Sequence, residues 1–590
     1  MPIRRLQPGN RRRPLFRLVP YLKRYRWRIV LGCLAVLLTN AGGVAIPWIL
    51  REATNTLQQR GPSPAVIRNY ALAIIALSLF EGIFRFWMRR ILIDVSRYIE
   101  YDLRNDLFRH FQRMSAPFFQ QHSTGDLMAR ATNDLSAVRS VLGPGIMYSV
   151  DTGLTAILAV SILLSISPRL AVVTLIPLIA VSVSVKHFGR QIHQRFERIQ
   201  NQFSELTTLA QENVAGIRVV KAYNQEQAFI GRFESANTEY FRRSLALVRI
   251  WGAFQPLLTV LLGLSLASLL WYGGTQVVNG AITLGDFVAF IAYLAMLTWP
   301  TIALGFVINI FERGSASMRR INELLDAEPQ VTDGPAASPV TIRGKIQIRD
   351  LNFSYGTRPV LRGIDLDVPE GSTLAVVGRT GSGKSTLVNL LCRLHPVPQG
   401  SIFIDDVDIN HIPLETLRSS IGYAPQDAFL FSDTIRGNIA FGNPTVQPEA
   451  VHDAAETSNI LAEIIEFQDQ WETFVGERGI TLSGGQKQRV AISRAVLVDP
   501  RILILDDSLS AVDTETEERI LRGLAAQLKG RTAILISHRV STVKLADQII
   551  VLDDGRIVER GSHDDLLALD GYYADLHRKQ LLREDLDIVA

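Results

Sequence analysis

Long stretches without charge dominate the first half of the chain. Ile29–Leu50, Leu170–Val185, Ile250–Gly285 and Phe287–Phe311 contain no Asp, Glu, Lys or Arg, and Ser140–Pro168 carries only Asp151. Val66–Trp87 is weaker, being interrupted by Arg68, Glu81 and Arg85. A hydrocarbon core of ~30 Å needs about 20 apolar residues of helix, so the pattern predicts six spans, at 29–50, 66–87, 140–165, 168–186, 250–273 and 287–311. A large soluble helical bundle is the competing reading, but uncharged runs of this length are rare in one. The first run starts too late and is too long for a cleaved signal peptide.

The connections between these runs are unequal. Those near Ser165–Arg169 and Tyr272–Asp286 are short, whereas Arg89–Arg139 and Lys186–Arg249 are long and charged. The long ones read as helices continuing beyond the membrane, with breaks at Pro117-Phe118-Phe119 and Asn213–Tyr223. Residues 1–28 hold ten arginines and lysines, and the connection after the first span holds only Arg51 and Arg60. The positive-inside bias therefore places the N-terminus in the cytoplasm. Six spans return the chain to that side at Glu312, so both termini are expected there.

The chain is 590 residues long, 47% hydrophobic and 20% charged, which excludes a disordered or acidic solvating protein. Its net charge of +5 hides a division. Residues 1–330 carry 36 basic and 20 acidic side chains, and the remainder carries 26 and 37. A basic half fits nucleic acid or an anionic membrane face; the apolar runs decide for the lipid bilayer, and no nucleic acid partner is expected. Two cysteines, Cys33 and Cys392, exclude a disulfide scaffold, and both are expected to be free.

Asp326–Pro339 is rich in Pro, Ala, Gly and acid, so residues 326–343 read as a linker. From 344 to 590 the pattern becomes short apolar strands alternating with helices, the mark of a parallel α/β domain. The expected fold is therefore multidomain: an all-α six-helix transmembrane domain followed by an α/β P-loop domain. Strand Ser372–Val377 runs into Gly378-Arg379-Thr380-Gly381-Ser382-Gly383-Lys384-Ser385-Thr386 and then a helical run, Leu387–Leu394. Glycines there let backbone N–H groups approach a phosphate, and the helix N-terminus adds partial positive charge. Lys384 is placed to reach the β/γ-phosphates and Ser385 to ligate Mg²⁺.

A second apolar strand, Arg501–Leu505, ends in Asp506-Asp507, and a strand-end Asp beside a phosphate loop can hold Mg²⁺. A third, Thr532–Ile536, ends in Ser537-His538, which puts His538 at the same sheet edge. Leu482-Ser483-Gly484-Gly485-Gln486 precedes the helical run Arg489–Val498, with Ser483 as a candidate N-cap and two glycines that expose N–H groups. This is a second anion site, unlike the first loop in sequence.

Leu482–Gln486 resembles the signature of ATP-binding-cassette proteins, and the order Walker loop, Gln, signature, Walker B, His is theirs. The whole chain beyond its N-terminal tail is similar to a bacterial ABC half-transporter of exporter type, one six-helix membrane domain fused to one cassette. Phe118-Phe119, Gly125-Asp126-Leu127 and Arg130–Asp134 are similar to the first intracellular loop of multidrug-type exporters. The resemblance implies ATP and Mg²⁺ as ligands, with Ser385, Gln426 and Asp506 around the metal. It implies that Tyr355 stacks on adenine and that Gln426 touches Mg²⁺ or the attacking water. It also implies that Glu477 lies against an intracellular loop and that Asp513 belongs to the loop crossing to a partner cassette. Two such chains would each lend a signature to the other's Walker loop, so the partner is a second half-transporter subunit in the inner membrane. The cargo that the resemblance implies is a hydrophobic or amphipathic drug, lipid or peptide. Two readings share motifs with this one: an exporter-fold importer of siderophore-like cargo, and a soluble non-transport ABC ATPase, which lacks the six spans.

Two features remain open in the sequence. Asp151, Glu81 and Arg85 lie within or beside spans, where ionisable groups are costly and often functional. Trp48, Trp87, Tyr148, Phe254, Tyr293, Trp299 and Phe306 are candidates for a cavity lining or for interfacial belts. The departure from the family pattern is at Asp507, where most cassettes carry the catalytic Glu. Asp is one methylene shorter, so the expectation is a degenerate Walker site that binds ATP and hydrolyses it slowly. A heterodimer, with a partner that supplies Glu, is expected over a homodimer.

Overall fold

The computed structural model describes residues 14–58, 63–334, 337, 338 and 340–589. The arginines at 4, 5, 11, 12 and 13, on which part of the orientation argument rests, lie outside the described residues. The chain divides into two units, Met1–Gln112 with Ser123–Ala327, and Arg113–His122 with Glu328–Ala590.

The first unit is built on six helices long and apolar enough to cross a membrane: α1 Arg26–Gln58, α2 Pro64–Arg113, α3 Thr124–Ile166, α4 Pro168–Ala215, α5 Glu226–Val278 and α6 Leu284–Leu325. Each expected span falls inside one of them. At about 1.5 Å per residue, the 50 residues of α2 reach ~75 Å, more than twice the hydrocarbon thickness. The long charged connections are thus the outer portions of the same helices. The expected breaks are short helices, Ala116–Gln121 between α2 and α3 and Ile217–Ala222 between α4 and α5. The first belongs to the second unit, where Gln330 N donates to Ser115 Oγ at 3.3 Å.

Local chemistry sets the helix ends. α4 starts at Ser167, whose hydroxyl accepts from Leu170 N, with Pro168 in the first turn. α6 starts at Thr283 in a capping box with Asp286: Thr283 N donates to Asp286 Oδ2 at 2.9 Å and Asp286 N to Thr283 Oγ1 at 3.0 Å. Asp286 also takes Arg51 Nε from α1 at 2.5 Å. The two charges that weakened the second span, Glu81 and Arg85, pair with each other one turn apart. Tyr293 proves to be core, neither cavity lining nor belt: it is fully buried and its hydroxyl donates to Val44 O at 2.9 Å. Its periodicity on α6, alongside Ala289, Phe290, Leu294 and Leu297, carries the buried stripe. Trp48, Trp87, Trp299 and Phe306 are exposed in the chain by itself.

The second unit holds two sheets. β1 Ile346–Tyr355, β2 Arg358–Val368, β4 Ile402–Ile404 and β5 Val407–Asp408 form an antiparallel sheet in the order β2-β1-β4-β5. β3 Thr373–Gly378, β6 Ile421–Ala424, β7 Ile502–Asp506, β8 Thr532–Ile536, β9 Gln548–Asp553 and β10 Arg556–Gly561 form the other, ordered β10-β9-β3-β8-β7-β6. All pairs in it are parallel except β10 with β9. β3, β7 and β8 are buried along their whole length, which is why they read as unbroken apolar runs. Parallel register brings the ends of β3, β7 and β8 to one edge, with Asp506 opposite Ile536. Ligands of open α/β sheets bind at such an edge. Cys33 and Cys392 are free. The expected linker is held down: Arg393 Nη2 donates to Thr332 O at 3.0 Å and Leu414 N to Asp333 Oδ1 at 2.7 Å.

Gly314 on α6 sits where α3 widens into the turn Val141–Gly145, and a Cβ there would lie 2.0 Å from Val141 Cγ2. Gly314→Ala is expected to cost about 1–3 kcal/mol through overpacking, lowering the unfolding temperature of the full chain. Gly82→Ala, with nothing within 4 Å, should not lower it.

Candidate functional site

The loop after β3 is shaped by two glycines. Gly378 has φ 153°, and a Cβ there would lie 2.0 Å from Leu552 O. Gly383 has φ 106°, and its Cβ would meet Leu361 Cδ2 at 2.7 Å. Neither position admits a side chain, so backbone N–H groups line the turn. Gly383 leads directly into α7, Lys384–Leu391, three residues earlier than the apolar run begins. Thr380, Gly381, Gly383, Lys384, Ser385 and Thr386 line a cleft of about 180 Å³ that Val360, Gln426, Asp506, Asp507, Ile536 and His538 complete. The phosphate loop therefore meets, at one sheet edge, two strand ends that lie more than a hundred residues further along the chain.

Lys384 is buried, and its ammonium donates to Gly378 O at 2.9 Å and Arg379 O at 3.0 Å. Burial pushes its pKa down, partly offset by the field of Asp507 and Asp506. Ser385 Oγ donates to Asp506 Oδ1 at 3.1 Å. Burial raises the Asp506 carboxyl above the ordinary carboxylate range, with the neighbouring Asp507 adding to the rise. Asp507 is in the left-handed region, φ 47°, and its N–H donates to Ile536 O at 2.9 Å. That conformation turns its carboxylate to Gln426, whose Nε2 donates to Asp507 Oδ2 at 3.3 Å. Burial raises Asp507 as well, opposed by His538, Gln426, Lys384 and Arg539. Burial, with Lys384 nearby, holds His538 below the usual imidazole value.

Tyr355 is 38% exposed and packs edge-on against Phe353 and His395 at ring separations of 5.0 and 5.1 Å. Arg379 lies at the loop's apex, with its guanidinium 5.9 Å from the Tyr572 ring.

The residues present fit a nucleotide phosphate with Mg²⁺. Lys384 has no ion pair among the described residues, and the Ser382 hydroxyl is buried in the loop with no hydrogen-bond partner. A buried cation and an orphaned hydroxyl on one loop are the complement of an anion. Ser385, Asp506 and Gln426 offer oxygens for the metal, which would neutralise phosphate charge when bound.

The signature residues do not line this cleft. Leu482 is buried, and Ser483 caps α8, Gly484–Leu497, in a box with Gln486: Ser483 N donates to Gln486 Oε1 at 2.8 Å and Gln486 N to Ser483 Oγ at 3.2 Å. The helix thus opens five residues before the expected Arg489. The S-x-x-Q spacing was a readable sign of that box. Gly484 is exposed and Gly485 packs beside Ala511. Sequence reasoning missed Gln488, which ties this helix to the loop after Asp507: its Nε2 donates to Ser510 Oγ at 3.1 Å and its Oε1 accepts from Ala511 N at 2.9 Å. Ser510 Oγ in turn donates to Asp507 O at 2.8 Å. It missed the buried Glu517 too, which accepts from Arg539 and Thr542. Glu477 is exposed beside Arg478, whose φ is 53°. Asp513 is exposed and caps α9, Thr514–Leu528, accepting from Thr516 N at 2.9 Å, which holds its carboxyl below the usual range.

A six-span membrane domain fused to a P-loop nucleotide-binding domain is the class these features define. Residues 29–301 match the ABC transporter transmembrane region, and residues 361–510 match the family described as ABC transporter. The chain belongs to the ABC transporter family. It is 37% identical over 568 residues to the probable multidrug resistance ABC transporter ATP-binding/permease protein YheI of Bacillus subtilis, covering 95% of this chain and 97% of that one. It is 35% identical to the multidrug resistance-like ATP-binding protein MdlA of Escherichia coli, covering 97% and 98%. It is 34% identical to the ATP-dependent lipid A-core flippase of Syntrophus aciditrophicus, covering 98% and 96%. Among solved structures, a bacterial Atm1-family ABC exporter with ATP bound superposes with a TM-score of 0.79 at 29% identity, covering 94% of this chain and 98% of that one.

The raised Asp507 carboxyl has a consequence for stability. Its charged form is disfavoured in the folded chain, so the penalty is full above the raised pKa and vanishes below the ordinary one. Asp507→Asn should therefore raise the unfolding temperature at roughly pH 7.5 by ~1–3 °C. The gain should shrink as the pH falls through the raised value. An unchanged or lowered unfolding temperature at the higher pH would contradict this account of the cleft.

Proposed function

We propose that the chain is one half of an ATP-driven exporter that moves a hydrophobic or amphipathic substrate out across the bacterial inner membrane as a dimer. The observation that carries this reading is the cleft that joins Lys384, Asp506, Asp507, Gln426 and His538 on a chain whose other half is six membrane-length helices. The relatives named for multidrug resistance and lipid A-core flipping, and the exporter of the same fold, support the direction and the class of cargo. In this reading both termini are cytoplasmic and Mg²⁺ accompanies the ATP.

The dimer follows from the two anion sites. Ser483 and Gly484 are exposed and lie off the cleft of their own chain, so this turn at the start of α8 is open to complete a nucleotide site that another chain's phosphate loop begins. ATP then joins two cassettes, and loss of the γ-phosphate releases them. A ligand that binds the joined state better than the separated one drives a two-state change in this way. Ile217 and Val219 on the short helix between α4 and α5, and Tyr223 that follows it, are exposed at the tip of the extended helices.

We infer further that the Walker site of this chain is degenerate and that the assembly is a heterodimer. Asp507 replaces the longer Glu that orients water in most cassettes, and its carboxylate is engaged by Gln426. A misplacement of about 1 Å can cost on the order of 100-fold in rate. The partner, with Glu at the matching position, would hold the hydrolytic site that the signature of this chain completes.

In the purified assembly, Asp507→Ala should change ATP turnover by less than about twofold, while Ser483→Arg or Gly484→Asp should reduce it about 100-fold. Steady-state phosphate release measures both. Loss of turnover in Asp507→Ala, or full activity from this chain by itself, would overturn the degenerate-site reading.

A further inference from the structure

The first unit contains a polar cavity of about 240 Å³ inside its apolar helices. Residues of four helices meet there: Asn40 of α1, Glu81 and Arg85 of α2, Asp151 and Thr155 of α3, and Trp299 of α6. Counted from Pro64, Ile166 and Leu284 at one end of the helices, Glu81, Asp151 and Trp299 sit 15–17 residues in, ~22–26 Å at about 1.5 Å per residue. They share one level within the hydrocarbon thickness.

The charges do not balance. Arg85 pairs with Glu81 on its own helix. Asp151 has no cationic partner among the described residues. It is held by an amide: Asn40 Nδ2 donates to Asp151 Oδ1 at 2.8 Å and to Val36 O at 3.0 Å, and Thr155 donates to Asn40 Oδ1. Asn40 is itself buried, so one carboxylate oxygen of this cavity-lining residue is fixed in place, and the other has no protein donor among the described residues. Gly42 and Gly43 leave α1 close enough for the Glu81 side chain to pack against it: a Cβ on Gly43 would lie 3.5 Å from Glu81 Oε1. Arg85 is half exposed in the chain by itself. A charged group at this depth is costly in lipid, so this face of α2 suits a polar, protein-lined space better than acyl chains. Trp299 presents its ring to the same cavity, 56% exposed.

We propose that this cavity is a binding site for the cationic head of an amphipathic substrate, with Asp151 as its counter-charge and the Trp299 face as its cation–π platform. A net charge of minus one, held by a neutral amide beside an aromatic face, suits a monovalent quaternary or protonated ammonium on an apolar body. An anionic lipid headgroup would face an unpaired carboxylate. The proposal deepens the export reading and rests on it for the cargo's route through the membrane domain.

The test uses the full chain in its assembly, in lipid nanodiscs, with radiolabelled dodecyltrimethylammonium as the probe and neutral dodecanol as the comparison. Wild type should bind the cation saturably. Asp151→Asn, which keeps the amide contact and removes the charge, should weaken binding about tenfold or more. Asp151→Glu should restore most of it, and Trp299→Leu should weaken it severalfold, while dodecanol binding stays the same in all. Equal cation affinity in wild type and Asp151→Asn, an equal loss for dodecanol, or no saturable cation binding by wild type would overturn the proposal. ATP binding on the same preparations separates the two readings. Its presence without cation binding strikes only this site, whereas its absence strikes the exporter reading itself.

Discussion

Lys384 carries an ammonium into a cleft whose direct partners for it are two backbone carbonyls. A buried cation without an ion pair is expensive, and the surroundings are arranged to hold it there. Gly378 and Gly383 let the loop wrap tightly enough for those carbonyls to reach the side chain. The parallel sheet fixes the loop, Asp506 and His538 at one edge, because β3, β7 and β8 are neighbours in register. Asp506 and Asp507 lend their field without pairing directly with the lysine. Their own carboxyls are pushed upward by burial. A phosphate with its metal would relieve this whole set at once, which would couple nucleotide binding to local stability.

The same loop that ends β7 joins the two anion sites of the chain. Asp507 is hydrogen-bonded to Gln426 on one side and, through Ser510, to Gln488 of the signature helix on the other. Arg539 adds a second tie, donating to Ser510 O at 3.2 Å and to the buried Glu517. A change in the phosphate cleft has a short covalent and hydrogen-bonded route to Ser483 without any rearrangement of the sheet. The membrane domain uses polar contacts differently. There Asp286, Tyr293 and Asn40 each tie one span to another, and where the ties leave a charge over, at Asp151, a cavity opens.

Much of this was legible in the sequence because it rests on periodicity and spacing. Apolar runs, four of them without any charge, marked the six spans, and strand–loop–helix order marked the phosphate loop. The charges of Glu81 and Arg85 weakened the second span only until their separation of four is recognised as one helical turn, which lets them neutralise each other. The fate of Tyr293 was not legible, since a tyrosine at a membrane interface and one donating to a carbonyl in a packed core have the same local pattern. Gln488 was hidden for another reason: its partners Ser510 and Ala511 are more than twenty residues away and meet it only through the sheet. The left-handed turn at Asp507 likewise follows from its N–H reaching Ile536 O, a contact that no local signal encodes.

In the proposed dimer, the phosphate loop and the signature helix of one chain serve different nucleotides. A photo-reactive benzophenone side chain at the exposed position 480, two residues before Leu482, tests this directly. Irradiated in the assembly with ATP and Mg²⁺, it should attach to the phosphate-loop peptide of the partner chain, and much less without ATP. Attachment to Gly378–Thr386 of its own chain, or a yield indifferent to nucleotide, would contradict the account.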